Sequence, residues 1–180
     1  LHIEQGPILD LAHKPIGVVS GISGPLWWTV KLKGMAGHTG SVPMPIRQDA
    51  LVGAAEIILA VREIATQVPG NPTVGTVGTI QVFPASRNII PEEVTFTVDL
   101  RDIDLDRRNR YEKQLRDRIE SITKKHQLTY EISEDTKSDP RYCADCIKKI
   151  IHAQCDALQL DAPELMSGPF HDALALSYAC

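Results

Sequence analysis

The sequence lacks any apolar run approaching the ~20 residues that a helix needs to cross a bilayer. Its first residues also lack the basic-then-apolar build of a secretory signal. Both absences lead to the expectation of a cytoplasmic protein with no membrane partner. An excess of one charge sign is missing as well. The 23 acidic and 19 Lys and Arg side chains are mixed along the chain and leave a net charge of -4, so there is no basic stripe to neutralise a phosphate backbone. Nucleic acid is therefore not expected as a partner. Cysteine is scarce, at Cys143, Cys146, Cys155 and Cys180. The closest two form a C-x-x-C with no second pair and no histidine pair at zinc-finger spacing, which argues against a structural zinc site. That pair opens a helical stretch rather than a strand-to-helix junction, so a thioredoxin-type redox role is not expected either. Plain thiols are expected, two or three of them in the core. An opening methionine is also lacking. The chain begins on Leu1-His2-Ile3-Glu4-Gln5-Gly6, which reads as the middle of a longer protein, and 180 residues suffice for one domain plus the remnant of another.

What is present is a clear succession of patterns. Ile16-Gly17-Val18-Val19 is a short apolar run, and Leu26 to Leu32 alternates about Trp28, Val30 and Leu32 with strand periodicity. From Gly34 to Pro45 the glycines and prolines predict an irregular loop, which contains His38. Leu51, Ala54, Ala55, Ile58, Val61, Ile64 and Ala65 recur at helical spacing between Asp49 and Val68, stopped by Pro69-Gly70-Asn71-Pro72. Val74 to Phe83 and Val94 to Leu100 read as an antiparallel strand pair, with a turn over Asn88 to Glu92. A second amphipathic helix is predicted over Leu105 to Lys125, followed by a strand at Leu128 to Ile132.

The order from Leu26 is thus β-α-β-β-α-β, the ferredoxin-like sandwich with two helices on one face of a four-stranded sheet. The fold class expected is α/β, in the α+β sense. The other sheet face or an edge strand is left to solvent or to a second copy. After Asp135 a polar break precedes a helical stretch, Cys143 to Leu158. Residues 23–135 therefore read as a module inserted between two pieces of an outer domain, 1–22 and 136–180.

Residue by residue, each chemical candidate also has a plain structural reading. His2 with Glu4 nearby is either a metal ligand beside a carboxylate or a surface histidine. His171-Asp172 is a ligand, or a helix-capping acid next to an incidental histidine. His38 sits in a glycine-rich loop that allows close approach to a ligand, or serves only the loop. Asn88 and Arg101 suit a carboxylate, or are a turn residue and an arginine paired to Asp99 or Asp102.

Together these segments resemble the hydantoinase/carbamoylase branch of the M20-type two-metal peptidase and amidohydrolase superfamily. The matching segments are His2-Ile3-Glu4-Gln5-Gly6-Pro7, Gly37-His38-Thr39-Gly40-Ser41-Val42-Pro43-Met44 with Arg47-Gln48-Asp49-Ala50, Asn88-Ile89-Ile90-Pro91 with Phe96-Thr97-Val98-Asp99-Leu100-Arg101, and Ser167-Gly168-Pro169-Phe170-His171-Asp172-Ala173. They fall in the family's order over almost the whole chain.

The resemblance implies an inserted dimerisation (lid) domain between remnants of an α/β metallo-hydrolase domain, and a homodimer formed through the insert. It implies hydrolysis of N-carbamoyl or ureido C–N bonds, as in N-carbamoyl-amino acids or allantoate, with an aminoacylase or dipeptidase as the alternative within the superfamily. It further implies two divalent ions (zinc, manganese, cobalt or nickel), with His2 on one and His171 on the other. Gln5, His38, Asn88 and Arg101 would handle substrate, Arg101 and Asn88 holding its carboxylate and His38, from the neighbouring subunit, stabilising the oxyanion. The family's upstream His, bridging Asp and Glu-Glu pair have no counterpart in this sequence, so incomplete metal sites are expected. On its own the chain is then expected to be a non-catalytic dimerisation module.

Overall fold

The structure, a computed structural model, describes residues 1–179. In chain order its elements begin with α1 (Ile8–Leu11), β1 (Val18–Ile22), β2 (Gly24–Lys33), α2 (Ala50–Thr66), β3 (Val74–Thr76) and β4 (Ile80–Phe83). They continue with β5 (Glu93–Asp102), α3 (Leu105–Lys125), β6 (Thr129–Lys137), β7 (Arg141–Tyr142), α4 (Asp145–Ala157), β8 (Glu164–Ser167) and α5 (Asp172–Leu176). Two compact units result. The first comprises Leu1–Pro25, Asp102–Leu105 and the segment from Ser138 onward, and the second Leu26–Arg101 with Asp106–Lys137.

The second unit is built on alternation. Along β5 the residues Val94, Phe96, Val98 and Leu100 are buried, while Glu93, Thr95, Thr97, Asp99 and Arg101 between them stay partly exposed. Trp28, Val30 and Leu32 of β2 enter the same core and meet Ala54, Ile57 and Val61 of α2 with Leu115 and Ile119 of α3. Both helices therefore pack on one sheet face, and the other face is polar and open. The strand order β3-β5-β2-β6 is that of the ferredoxin-like sandwich.

Helix α2 starts where Asp49 accepts from the Leu51 and Val52 amides at 3.0 and 3.2 Å, an N-cap that satisfies two otherwise orphaned donors. Before it, the loop from Gly34 folds back so closely that a Cβ on Gly34 would lie 2.0 Å from the Gln48 carbonyl oxygen. Only glycine fits there.

Two strand readings need correction. The single strand predicted over Val74 to Phe83 is two, β3 and β4, each antiparallel to β5. The interruption falls at Gly78 and Thr79, where the Thr79 amide donates to the Thr97 hydroxyl at 3.2 Å instead of joining the ladder. The last strand, predicted over Leu128 to Ile132, runs on to Lys137, which pairs with Leu26. Its residues are nearly all exposed, so no period-two pattern marks its end. A register shift opposite Trp27 and Trp28 leaves Asp135 as the extra residue, its carboxylate accepting from the Thr29 hydroxyl at 2.7 Å.

In the first unit, β1 lies at the centre of a three-stranded sheet, antiparallel to β7 and parallel to β8. The short elements α1 and β7 carry no periodic signal and were not expected. The three described cysteines are free thiols. Cys155 is buried, Cys143 half-buried and Cys146 exposed, and Cys180 lies outside the described residues. One of these three therefore reaches the core, as the single buried residue of α4. No helix is long and apolar enough to cross a membrane among the described residues.

Candidate active-site residues in two clusters

His38 follows β2 on a loop that pairs backwards along the segment entering β5. Gly34 donates to Glu92 O at 2.7 Å, Ile90 to Gly37 O at 2.8 Å and Thr39 to Asn88 O at 3.0 Å. His38 and Ile89 form an antiparallel bridge. The His38 backbone is thereby paired with Ile89, the residue after Asn88, although 50 residues of sequence separate His38 from Asn88. The His38 ring is exposed, and its Nδ1 accepts the Gly40 amide at 3.1 Å. A neutral imidazole whose Nδ1 accepts carries its proton on Nε2, so His38 presents an N–H donor. Asn88 accepts the Ser86 hydroxyl on Oδ1 at 2.9 Å, which orients its amide NH2 as a donor.

Arg101 sits elsewhere. It extends from the open sheet face near the end of β5, and Asp99 on the same face grips it through Nε at 2.9 Å and Nη2 at 2.7 Å. Asp99 raises the Arg101 pKa by this bonding, against the opposing effect of burial. The guanidinium stacks 5.6 Å from the Trp27 ring centroid. Trp27 and Asp99, with Thr76, Gly78, Thr97 and Asp135, line a shallow cleft of about 370 Å³. Of the two partners weighed from sequence, Asp99 and Asp102, Asp99 forms the two-pronged pair, since residues two apart on a strand share a face.

Arg101 lies eight residue steps along the extended strand from Glu93, roughly 26 Å at ~3.3 Å per step, and Asn88 precedes Glu93 in the chain. One copy of the chain thus cannot close Arg101 and Asn88 on one small carboxylate.

In the first unit His2 and His171, 169 residues apart, meet with ring centroids 4.7 Å apart and planes at 68°. His2 Nδ1 lies 2.6 Å from Ile3 O and so donates, leaving Nε2 with the lone pair that a metal would take. His171 is set differently. Its Nδ1 accepts the Ala173 amide at 2.9 Å and caps α5, which places the proton of the neutral ring on Nε2. The cap is His171 itself and not the acid Asp172. Glu4 is not a carboxylate held for a metal either, because its two oxygens accept the Ile8 and Leu9 amides at 2.8 and 2.9 Å at the start of α1. Gln5 is exposed with φ 55°, in the left-handed region.

No group of three or more His, Cys, Asp or Glu side chains is gathered for a metal among the described residues. A catalytic zinc needs about three protein ligands. The residues present therefore do not fit a metal centre by themselves, and they supply at most one imidazole per ion. Sequence reasoning passed over Trp27 as a partner of Arg101 and assigned no role to Arg47. Their signals, same-face spacing across adjacent strands and an arginine after a tight loop, are too common to single them out.

An α+β chain with a ferredoxin-like unit defines the class. Residues 20–127 match the M20-type peptidase dimerisation domain, and the chain belongs to that family. It is 46% identical over 177 residues to an N-carbamoyl-L-amino-acid amidohydrolase of Pseudomonas sp. strain NS671, covering 98% of this chain and 43% of that protein. It is 35% identical over 203 residues to an allantoate deiminase of Arabidopsis thaliana, covering 99% of this chain and 39% of that protein. A crystal structure of a hydantoinase/carbamoylase family amidase from Burkholderia multivorans superimposes with a TM-score of 0.93 at 34% identity, covering 97% of this chain and 42% of that one. The chain thus spans about two fifths of the length of these relatives.

Proposed function

We propose that the complete protein is an amidohydrolase that adds water across the C–N bond of an N-carbamoyl or ureido acid, releasing an amine, carbon dioxide and ammonia. The observation that carries this reading is the His38 turn, which holds a neutral Nε2–H donor out from an exposed loop. Attack of water on a carbamoyl carbonyl builds negative charge on its oxygen, and a preoriented N–H at that oxygen lowers the barrier. The similarity to proteins named as an N-carbamoyl-amino-acid amidohydrolase and an allantoate deiminase supports the same chemistry.

The substrate carboxylate falls to Arg101, whose guanidinium Asp99 already orients. Because Arg101 and the His38–Asn88 pair lie at opposite ends of β5, a complete site takes Arg101 from one copy and His38 with Asn88 from a second. Asn88 then acts as a second donor beside His38. A homodimer through the second unit follows, with β6 as an edge strand available for pairing. Gln5, in the first unit, is a further substrate-binding residue on this reading. His2 serves as one metal donor through Nε2, and His171 serves as the other once its Nδ1 releases the Ala173 amide and takes the ring proton, with the remaining ligands from outside the described residues. Alone, the 180-residue chain is then a pairing module without catalysis.

The test is ammonia release from N-carbamoyl-amino acids and from allantoate, by this chain and by the complete protein, with zinc, manganese, cobalt or nickel supplied. Activity in the complete protein alone is expected. Activity in neither, with any of the four metals, overturns the hydrolase reading. Replacing His38 by Ala in the complete protein is expected to lower kcat by about 100- to 1,000-fold, the usual cost of removing one oxyanion donor.

A further inference from the structure

The loop that carries His38 is braced by a side chain to which no role has been given. His38 stands at the corner of a tight turn in which its own carbonyl accepts two amides, from Ser41 and Val42, each at 3.1 Å. A turn of this size on the surface does not hold one side-chain direction unless something outside it does. Arg47 lies past the turn. Its Nε donates to Val42 O at 3.0 Å and its Nη2 to Thr39 O at 2.5 Å, so one planar fork spans the turn from the residue after His38 to its closing residue.

The other end of Arg47 is anchored. Its amide donates to Met44 O at 3.3 Å, and two residues on, Asp49 caps the 17-residue helix α2. Arg47 is only half-exposed, and its guanidinium bonds are to the Val42 and Thr39 carbonyls. A partly buried cation that gives up water to bond carbonyls alone is costly unless the turn needs it.

We propose that Arg47 is the positioning residue for His38: its fork on the Thr39 and Val42 carbonyls holds the turn in which the Gly40 amide occupies His38 Nδ1 and keeps the proton on Nε2. The inference deepens the hydrolase reading above and rests on it for its kinetic consequence, but not for its structural one. Lysine cannot replace arginine fully, because an ammonium on a flexible stem does not fix two carbonyls in one plane.

Two measurements test it. The first needs no activity. In the 180-residue chain labelled with 15N-histidine, long-range 1H–15N correlations report which ring nitrogen of His38 is protonated. The wild-type ring is expected to show an unprotonated Nδ1, and Arg47→Ala is expected to shift it to an averaged tautomer pattern, with Arg47→Lys between the two. A His38 pattern unchanged in both variants overturns the proposal, whatever the enzyme does.

The second uses the complete protein in a double-mutant cycle. Arg47→Ala is expected to lower kcat about 10- to 100-fold with KM within about threefold, as for residues that orient a reacting group. In the His38→Ala background it is expected to have no further effect. Losses that multiply in the double variant, or a rise in KM alone, overturn it. A wild-type protein without ureido hydrolysis sinks the hydrolase reading, while the tautomer measurement still decides on Arg47.

Discussion

The two units differ in how far they close their own cores. In the second, the apolar faces of β2, β5, α2 and α3 meet in one cluster whose central members, Trp28, Val30, Ala54, Ile57, Phe96 and Ile119, are fully buried. In the first, full burial is confined to a few residues such as Val18 and Leu174, while Ile8, Leu11, Tyr142, Ile150, Leu158 and Leu176 are exposed. An exposed apolar set of that extent marks a surface that expects a partner. The lesson is that burial is uneven along one continuous chain: its middle gathers a continuous buried cluster and its two ends do not, while both units also expose apolar side chains.

The contrast is broken or sharpened most by attacking the closed core. Phe96→Ala empties a fully buried ring position and is expected to destabilise the second unit by about 3–5 kcal/mol in denaturant melts. A cost under about 1 kcal/mol would mean that this core is no better closed than the first unit's. Next comes the entry to the His38 loop. Gly34→Ala drives a Cβ against the Gln48 carbonyl, and a loss of about 1–3 kcal/mol is expected, the range for overpacking. Asp49→Ala removes the α2 cap and is expected to cost about 1 kcal/mol, read as a lower Tm with unchanged helix content at low temperature.

Acid dependence gives a smaller effect with a defined sign. Burial is the largest single influence on Glu112 and pushes its carboxyl up, but hydrogen bonds and charges from Lys137 and Arg116 outweigh it and hold the pKa below the ordinary 4.5. A carboxyl lowered on folding contributes stability above its unfolded value and loses that contribution as pH falls through the folded value. Glu112→Gln is therefore expected to flatten the decline in stability below pH 4.5, with a difference on the order of 1 kcal/mol between neutral and acid conditions. Smallest of all is Ile150→Lys on the exposed face of α4, which is expected to change stability by less than about 0.5 kcal/mol. Its effect should instead appear as reduced self-association of the chain in sedimentation.

The same difference between units sets how far each was legible in the sequence. Helices α2 and α3 and strands β2 and β5 repeat their apolar residues at the period of the element, because each has one face in a shared core. Their order carries the ferredoxin-like topology, and their ends are right to within a few residues. In the first unit the elements are short and most of their residues face away from a core, so α1 and β7 left no period to read. Strand β6 shows the same rule inside the well-read unit, since an exposed edge strand has no buried face to alternate.

For the candidate site, the sequence by itself determined the chemical inventory: three histidines, a glutamine, an asparagine and an arginine in segments that match an amidohydrolase family. Residue type and spacing along the chain are enough for that. Only the tertiary structure decided which of them meet and in what state. It put His2 against His171, paired the His38 backbone with Ile89 next to Asn88, and set Arg101 a strand's length away. It also set His2 to donate from Nδ1 while His38 and His171 accept there. A tautomer depends on which backbone group faces the ring, and that is a matter of packing between segments far apart in sequence.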